Sequence, residues 1–245
     1  MRTLASLANR LSKKDPSGLR ATEDLRASIS QKDYDLLMAR IAQRAEGVTD
    51  PLKIQSIVSS EMQKYQGLST QKNIEWVVDT MKRSSVRADL MLKTMGIQVS
   101  GRLGPVPISK TLMDTLTVGV KNNIQSLTSD AQKKVTQVLI DGANEGKGMK
   151  AMARDISDAT GMERNRASVI ARTETMRANV STSVDRFKQL GVQKVEWLVA
   201  DDDRLCDDCS DLDGQVFDID DHPDCPFHVC CRCILIPHIE EGEEA

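Results

Sequence analysis

The chain has 245 residues, a formal net charge of −3 and seven aromatic residues. It contains no run of about 20 apolar residues, the length that a membrane-spanning helix requires. Its first residues also lack the apolar core of a secretory signal peptide, so we expect neither a membrane nor a secreted location. A core built from Leu, Ile, Val, Met and Ala favours packed helices over extensive sheets.

The first hundred residues show helical patterns throughout. An amphipathic first helix is predicted up to Asp15, and a break follows at Pro16-Ser-Gly18. Further helices are predicted from about Thr22, from Pro51, and from Gly67 to Met95. The segment 96–107 contains three glycines and two prolines, a composition typical of a linker. We therefore predict a helical N-terminal region over residues 1–104.

A second helical region is predicted over residues 105–191. Ser109 has the position of an N-cap before a helix with an apolar residue at every third or fourth position. Ser129 is predicted to cap the next helix, and a short helix from Met149 is predicted to end before Gly161. The longest pattern runs from about 163 to 190 and ends at Gly191, where a left-handed residue is favoured.

The periodicity changes after Gly191. Val195, Trp197 and Val199 alternate with other residues, which predicts a strand with one more apolar face. We predict a small β-rich module over residues 192–239 and a disordered acidic tail over residues 240–245. The fold class is therefore α+β, with mostly helical N-terminal and central regions followed by this module.

All six cysteines and all three histidines lie between Cys206 and His238. Thiolate and imidazole are the ligands of zinc, which takes four of them in a tetrahedral structural site. Without a secretory route, clustered thiols indicate a metal rather than disulfides. A module of about forty residues buries little apolar surface, so a bound metal can supply much of its folding free energy.

The spacing selects five candidate zinc ligands, of which four are expected to bind. The first two form a Cys-x-x-Cys pair and the others a His-x-x-Cys-x-Cys run: Cys206, Cys209, His228, Cys231 and Cys233. Which of the last three stays off the metal is left open. Cys225, Cys230 and His222 are weaker competitors. No open coordination position with a nearby acid or base is evident, so the pattern favours structural zinc over catalytic zinc.

Charge is distributed unevenly along the chain. Eleven aspartates lie between Asp201 and Asp224, whereas the segment 147–188 has nine basic against five acidic residues. Five arginines of this segment are candidates for contact with DNA or with a protein partner: Arg164, Arg166, Arg172, Arg177 and Arg186. The alternative is a solvated helix face with local ion pairs such as Glu174 with Arg177.

Several motifs occur together in one order. A helix with Ala171-Arg-Thr-Glu-Thr175 leads through Gly191 to a strand that contains Trp197. The Cys206-x-x-Cys209 pair, a turn at Leu212-Asp-Gly214 and Pro226-x-His228-x-x-Cys231-Arg-Cys233 follow. From about residue 130 to residue 238, this order resembles the C-terminal domain of the Mu F-like minor head proteins of tailed bacteriophages. Cys225 and Cys230 depart from the family pattern, which has other residue types at these positions.

The resemblance implies a non-enzymatic virion component inside the capsid, near the portal, that is present in the host cytoplasm during assembly. Its implied partners are the portal protein and other capsid proteins, with double-stranded DNA as a further candidate and no small-molecule substrate. The implied roles are head assembly, genome packaging or ejection. Two alternatives are a zinc-ribbon regulator that binds nucleic acid and a zinc-dependent enzyme. The many aspartates oppose the first, and the lack of a Ser/His or Cys/His pair outside the cluster opposes the second.

Overall fold

The computed structural model describes residues 20–99, 109–200 and 204–239. Four long helices precede a three-stranded sheet and one short helix, which confirms the predicted α+β class. In chain order the elements are α1 (Arg20–Ala45), α2 (Pro51–Thr94), α3 (Lys110–Asn144), α4 (Met149–Gln189), β1 (Lys194–Leu198), α5 (Asp207–Ser210), β2 (Val216–Asp218) and β3 (Ile234–His238). The predictions for residues 1–19, for most of the linker and for the acidic tail lie outside the described residues. None of the described helices is long and apolar enough to cross a membrane.

Three predicted helix breaks were wrong. Gly67, Ser129 and Gly161 lie inside α2, α3 and α4, which continue through them. A Cβ atom added at either glycine would meet no atom within 4 Å. A glycine in a helix costs only about 1 kcal/mol relative to alanine, and the buried face of each helix continues on both sides. In α3, for example, Leu127 and Ala131 on either side of Ser129 are both fully buried.

Two predicted helix ends are confirmed by their hydrogen bonds. The Ser109 hydroxyl accepts a hydrogen bond of 3.2 Å from the backbone N–H of Leu112, as an N-cap does. Gly191 has a φ of +82°, and the backbone N–H of Val192 donates to the carbonyl of Phe187 at 3.1 Å. This is a Schellman end, which turns the chain from α4 directly into the sheet.

The sheet has the order β2-β1-β3, and both pairings are antiparallel. The predicted alternation in β1 is confirmed because Val195 and Trp197 are fully buried. Val195 lies opposite Phe217 of β2 and Pro237 of β3, whereas Trp197 lies opposite Leu235. The central strand thus contributes the largest side chain of the sheet to the core.

The described residues group into two compact units that are discontinuous in sequence, and α2, α3 and α4 each contribute to both. The first unit, here called the sheet unit, contains the described residues of 20–23, 76–116 and 173–245. The second, here called the helical unit, contains residues 24–75 and 117–172. The division into four consecutive regions at residues 104, 191 and 239 stays a prediction.

Each unit has its own apolar core. In the sheet unit, Leu92 of α2 and Phe187 of α4 lie in one cluster with Trp197 and Leu235 of the sheet. Three thiols belong to the same cluster: Cys209, Cys231 and Cys233. The core of the helical unit comes entirely from α1 to α4 and contains Tyr34, Leu37, Ile41, Ile54, Val58, Met62, Val135, Leu139, Met152 and Ile156.

Candidate metal centre

The first two cysteines are brought together by α5. Cys206 precedes this helix in an extended conformation, with φ −97° and ψ 160°. Its carbonyl accepts a hydrogen bond of 3.0 Å from the backbone N–H of Ser210. One helical turn therefore separates Cys206 from Cys209, and positions three residues apart lie on the same side of a helix.

The loop before β3 carries the other three candidates. The backbone N–H of Cys231 donates to the carbonyl of His228 at 3.1 Å, which closes a tight turn. Nδ1 of His228 lies 2.9 Å from the carbonyl of Val229. Because a carbonyl only accepts, Nδ1 is the protonated nitrogen, and Nε2 has its lone pair available. Nε2 points toward the thiols of the first pair.

The five predicted ligands converge. Nε2 of His228 lies 3.1 Å from Sγ of Cys206 and 3.2 Å from Sγ of Cys209. Sγ of Cys209 lies 3.8 Å from Sγ of Cys231. The five residues form two overlapping groups of three that share Cys209, namely Cys206/Cys209/His228 and Cys209/Cys231/Cys233, and within each group the potential ligand atoms lie within 4.8 Å of one another. Tetrahedral zinc with Zn–S bonds of about 2.3 Å places its sulfurs roughly 3.8 Å apart, and the Cys209–Cys231 separation matches this spacing.

A small cavity adjoins the candidate ligands. A cavity of about 20 Å³ lies among the candidate ligands, Arg204 and Arg232, and a single water-sized sphere occupies about 10–15 Å³. Cys209 and Cys231 are each 2% exposed, whereas Cys206 is half-buried and His228 is exposed. The cluster therefore has a buried sulfur side and a side that faces solvent.

The protonation of the thiols depends on their neighbours. Burial raises the pKa of Cys209 to about 12. A hydrogen bond with Cys233 lowers the pKa of Cys231 to about 5, and the same bond raises the pKa of Cys233. The backbone N–H of Cys209 lowers the pKa of Cys206. Protons therefore remain on part of the cluster, and a divalent cation that binds all the sulfurs as thiolates displaces them.

The weaker competitors have other contacts. The thiol of Cys225 donates to the carbonyl of Cys233 at 3.4 Å, and Nδ1 of His222 lies 2.8 Å from the carbonyl of Pro223. Neither these residues nor Cys230 belong to either ligand group found among the described residues. The choice of four ligands from the five stays a prediction.

Phe227 supports the site and was missed by the sequence reasoning. Its ring packs edge-on against Trp197, with 6.3 Å between centroids, and against the imidazole of His228 at 6.5 Å. Since Trp197 is held in β1, this contact links the histidine loop to the sheet. The available signal was the position of Phe227 directly before a candidate ligand.

Three of the five candidate arginines, Arg166, Arg177 and Arg186, pair with carboxylates of this chain. Arg166 donates to Asp130 at 2.8 Å and to Ser126 at 2.9 Å. Arg177 donates to Glu174, the ion pair that the sequence named as the alternative.

Arg186 differs because its side chain is only 11% exposed, and its Nε lies 2.5 Å from the buried carboxylate of Asp89. Arg172 is half-buried, and the side chain of Arg164 lies outside the described residues. Arg164, Arg166 and Arg172 belong to the helical unit, and Arg177 and Arg186 to the sheet unit. Contact of these arginines with DNA or protein stays a prediction.

The geometry brings together Cys/His groups that could hold a metal ion in an α+β protein. Residues 133–236, about two fifths of the chain, match the family described as Phage Mu protein F like protein. This match confirms the resemblance that the sequence motifs indicated.

A protein of Haemophilus influenzae, described as an uncharacterized protein, is 28% identical over 172 residues. The aligned part is 68% of this chain and 38% of that relative, so the chain spans less than half the length of the curated relative. No solved structure matches the chain.

Proposed function

We propose that the protein is a structural component of a phage head that takes part in head morphogenesis. The observation that carries the proposal is the family match over residues 133–236. The matched segment contains both the helix signature around Thr173 and all five converging ligands. The chemistry of the site and the sequence order of the family thus support the same function.

The metal centre acts, in this proposal, as a structural zinc site. The sheet has only 13 residues in its three strands, and such a small sheet has limited apolar surface to bury. A zinc ion bound by four of Cys206, Cys209, His228, Cys231 and Cys233 would fix α5 to the loop before β3. The ion would supply coordination bonds, and the chain would supply the thiolates and the Nε2 lone pair of His228.

A non-enzymatic role follows from this arrangement. The donors that converge at the site exceed the four positions of a structural zinc ion, whereas a catalytic zinc needs a position left for water or substrate. Besides the candidate ligands, the described residues that line the cavity include Arg204, Arg232 and Cys230 but no carboxylate and no second histidine. We therefore place no substrate at this centre.

The proposed partners are the portal protein and other capsid proteins, and the proposed location is the capsid interior near the portal. The described segment 204–239 carries eight aspartates and two arginines, a balance that repels the DNA backbone. The sheet unit is therefore proposed to face protein or solvent at this end. Direct contact with DNA, if it occurs, is proposed for the arginines of α4.

Three observations test the head-protein proposal. We expect a portal gene next to the gene for this chain, and we expect the chain in purified heads, inaccessible to added protease until the capsid is opened. A mixture of full-length protein and portal rings should elute as one complex in size-exclusion chromatography. Absence from purified heads, together with salt-sensitive binding of free duplex DNA, would instead support the zinc-ribbon regulator. A zinc-dependent hydrolytic activity would support the enzyme.

A further inference from the structure

The loop that joins His228 to Cys231 is held at three points. Two of them are internal: Nδ1 of His228 on the Val229 carbonyl at 2.9 Å, and the Cys231 N–H on the His228 carbonyl at 3.1 Å. The third comes from outside the loop. The backbone N–H of Cys230 donates to Oγ1 of Thr173 at 3.1 Å, across 57 residues of sequence.

Thr173 is well placed to hold this loop. It lies in the middle of α4, is 7% exposed and belongs to the same compact unit as the loop. Three residues further along α4, Met176 belongs to the apolar cluster that contains Cys231. The hydroxyl therefore stands on a rigid, packed element, whereas the loop has no regular secondary structure.

Cys230 needs this support because of its backbone conformation. Its φ is +59°, in the left-handed region, which is unfavourable for residues other than glycine and, to a smaller degree, asparagine. Removing the Thr173 hydroxyl would also leave the half-buried N–H of Cys230 without this acceptor, and an unsatisfied buried donor is costly. The unfavourable conformation would then have less to maintain it.

We infer that Thr173 is a positioning residue of the metal centre: its hydroxyl holds the Cys230 N–H and so keeps His228 and Cys231 at the spacing that one ion requires. This inference rests on the proposed zinc site. It also gives a physical reason for the joint occurrence of the two motifs. The helix signature at Arg172-Thr-Glu174 and the His228-x-x-Cys231 motif meet in space through this hydrogen bond.

The test measures how fast zinc passes from the full-length protein to a colorimetric chelator, and it compares the wild type with variants at position 173. Thr173→Val keeps the shape of the side chain but removes the acceptor, and we expect release about 10- to 100-fold faster than from the wild type, the usual range for loss of a group that orients a ligand. Thr173→Ser retains the hydroxyl and should release zinc at a rate near that of the wild type.

Thr182 provides a matched control on the same helix. It is 3% exposed, and its Oγ1 has no hydrogen-bond partner in the part of the chain that the structure describes. Thr182→Val therefore removes the same atom without removing a loop contact, and its zinc release should match the wild type. Equal acceleration by the variants at positions 173 and 182 would overturn the inference, because general loosening of α4 would then explain both.

Other outcomes separate the inference from the zinc proposal. If zinc-loaded wild type and Thr173→Val release zinc at equal rates, the positioning role is overturned, whereas the proposed zinc site is still supported. Wild type without stoichiometric zinc would overturn both.

If Thr173→Val does not fold, amide hydrogen exchange of Cys230 in the wild type decides. Protection of this amide in the zinc-loaded protein supports the inference, and exchange at the rate of an open loop overturns it.

Discussion

The two compact units bury different kinds of residue in their cores. In the helical unit, apolar side chains of α1 to α4 interdigitate around Leu37, Ile41 and Leu139, all of which are fully buried. In the sheet unit, the cluster around Trp197 also contains the buried thiols of the candidate metal centre. Apolar packing forms the first core, whereas the second combines packing with thiols that could hold a cation.

The difference follows from the amount of regular structure available. Long helices present continuous apolar faces and satisfy their own backbone hydrogen bonds, so their stability comes from packing those faces together. A sheet of three strands, two of five residues and one of three, offers much less surface. The loops that connect these strands therefore require a different source of stability, and we propose that zinc supplies it.

Loss of the proposed metal should give the largest difference in stability between the two units. Cys209 belongs to both groups of converging ligands, so Cys209→Ser should abolish zinc binding and unfold the sheet. Structural zinc contributes on the order of 10 kcal/mol to small modules. We expect helical circular dichroism to persist largely, while emission from the fully buried Trp197 shifts to the red in a Trp76→Phe background.

The control for this prediction is Cys230→Ser, which changes a thiol of the same loop outside both ligand groups. It should retain zinc and the native Trp197 emission. If Cys209→Ser also retains one zinc per chain, measured by elemental mass spectrometry, the sheet unit does not depend on the proposed site.

The next largest effect concerns a buried carboxylate in each unit. In the sheet unit Asp89, with a side chain 1% exposed, faces Arg186. In the helical unit Glu61, with a side chain 6% exposed, contacts Arg40, Arg44 and Lys64. Arg186→Met leaves Asp89 buried without its guanidinium and should cost about 3 kcal/mol of unfolding free energy.

Arg44→Met is the matched substitution in the helical unit. Glu61 keeps two other cations there, so we expect a cost below about 1 kcal/mol. Urea unfolding measures both variants. Similar losses in the two variants would show that the number of cations around each carboxylate does not set its contribution.

The ion pairs of Glu61 predict that the stability of the helical unit decreases at acidic pH. A hydrogen bond from Lys64 lowers the pKa of Glu61, with further lowering by Arg44. A carboxylate with a lowered folded pKa contributes stability above its unfolded pKa of about 4.3 and loses it as pH falls through the folded pKa. Stability of the wild type should therefore decrease below about pH 4, and Glu61→Gln should flatten this decrease.

Glu75→Gln is the control because Glu75 is exposed and contacts only Gln71 of the same helix among the contacts described. It should leave the pH profile of thermal unfolding unchanged. A profile for Glu61→Gln as steep as that of the wild type would assign the acid response to other carboxylates.

Alanine substitutions at two glycines should have the smallest effects on the unfolding free energy, and the two effects should have opposite signs. Gly67 lies in the interior of α2 with open space where a Cβ would stand, so Gly67→Ala should raise the unfolding free energy by about 0.5–1 kcal/mol. Gly191 has a φ of +82°, and Gly191→Ala should lower it by about 1 kcal/mol. Chemical denaturation of the two variants against the wild type measures both signs, and a stabilised Gly191→Ala would contradict the Schellman assignment.

The grouping of candidate thiols and imidazole near one another and several element boundaries were predictable because they depend on local spacing. Cys206 and Cys209 are three residues apart, and a single helical turn brings them together. The hydroxyl of Ser109 suits the N-cap of a helix, and Gly191, which lacks a Cβ, suits the left-handed position after a helix end. The breaks predicted at Gly67, Ser129 and Gly161 were wrong. A residue with low helix propensity destabilises a helix by only about 1 kcal/mol, and the packing of a continuous apolar face outweighs this cost.

The sequence by itself determined the α+β class, the Cys/His clustering and the family resemblance, since each depends on residue type and spacing along the chain. Only the tertiary structure decided that Asp89 neutralises Arg186 and that Thr173 binds the loop of Cys230. These contacts join residues 97 and 57 positions apart, and no local pattern encodes such pairings. They arise because folding brings Arg186 of α4 to Asp89 of α2 and Thr173 of α4 to the loop before β3.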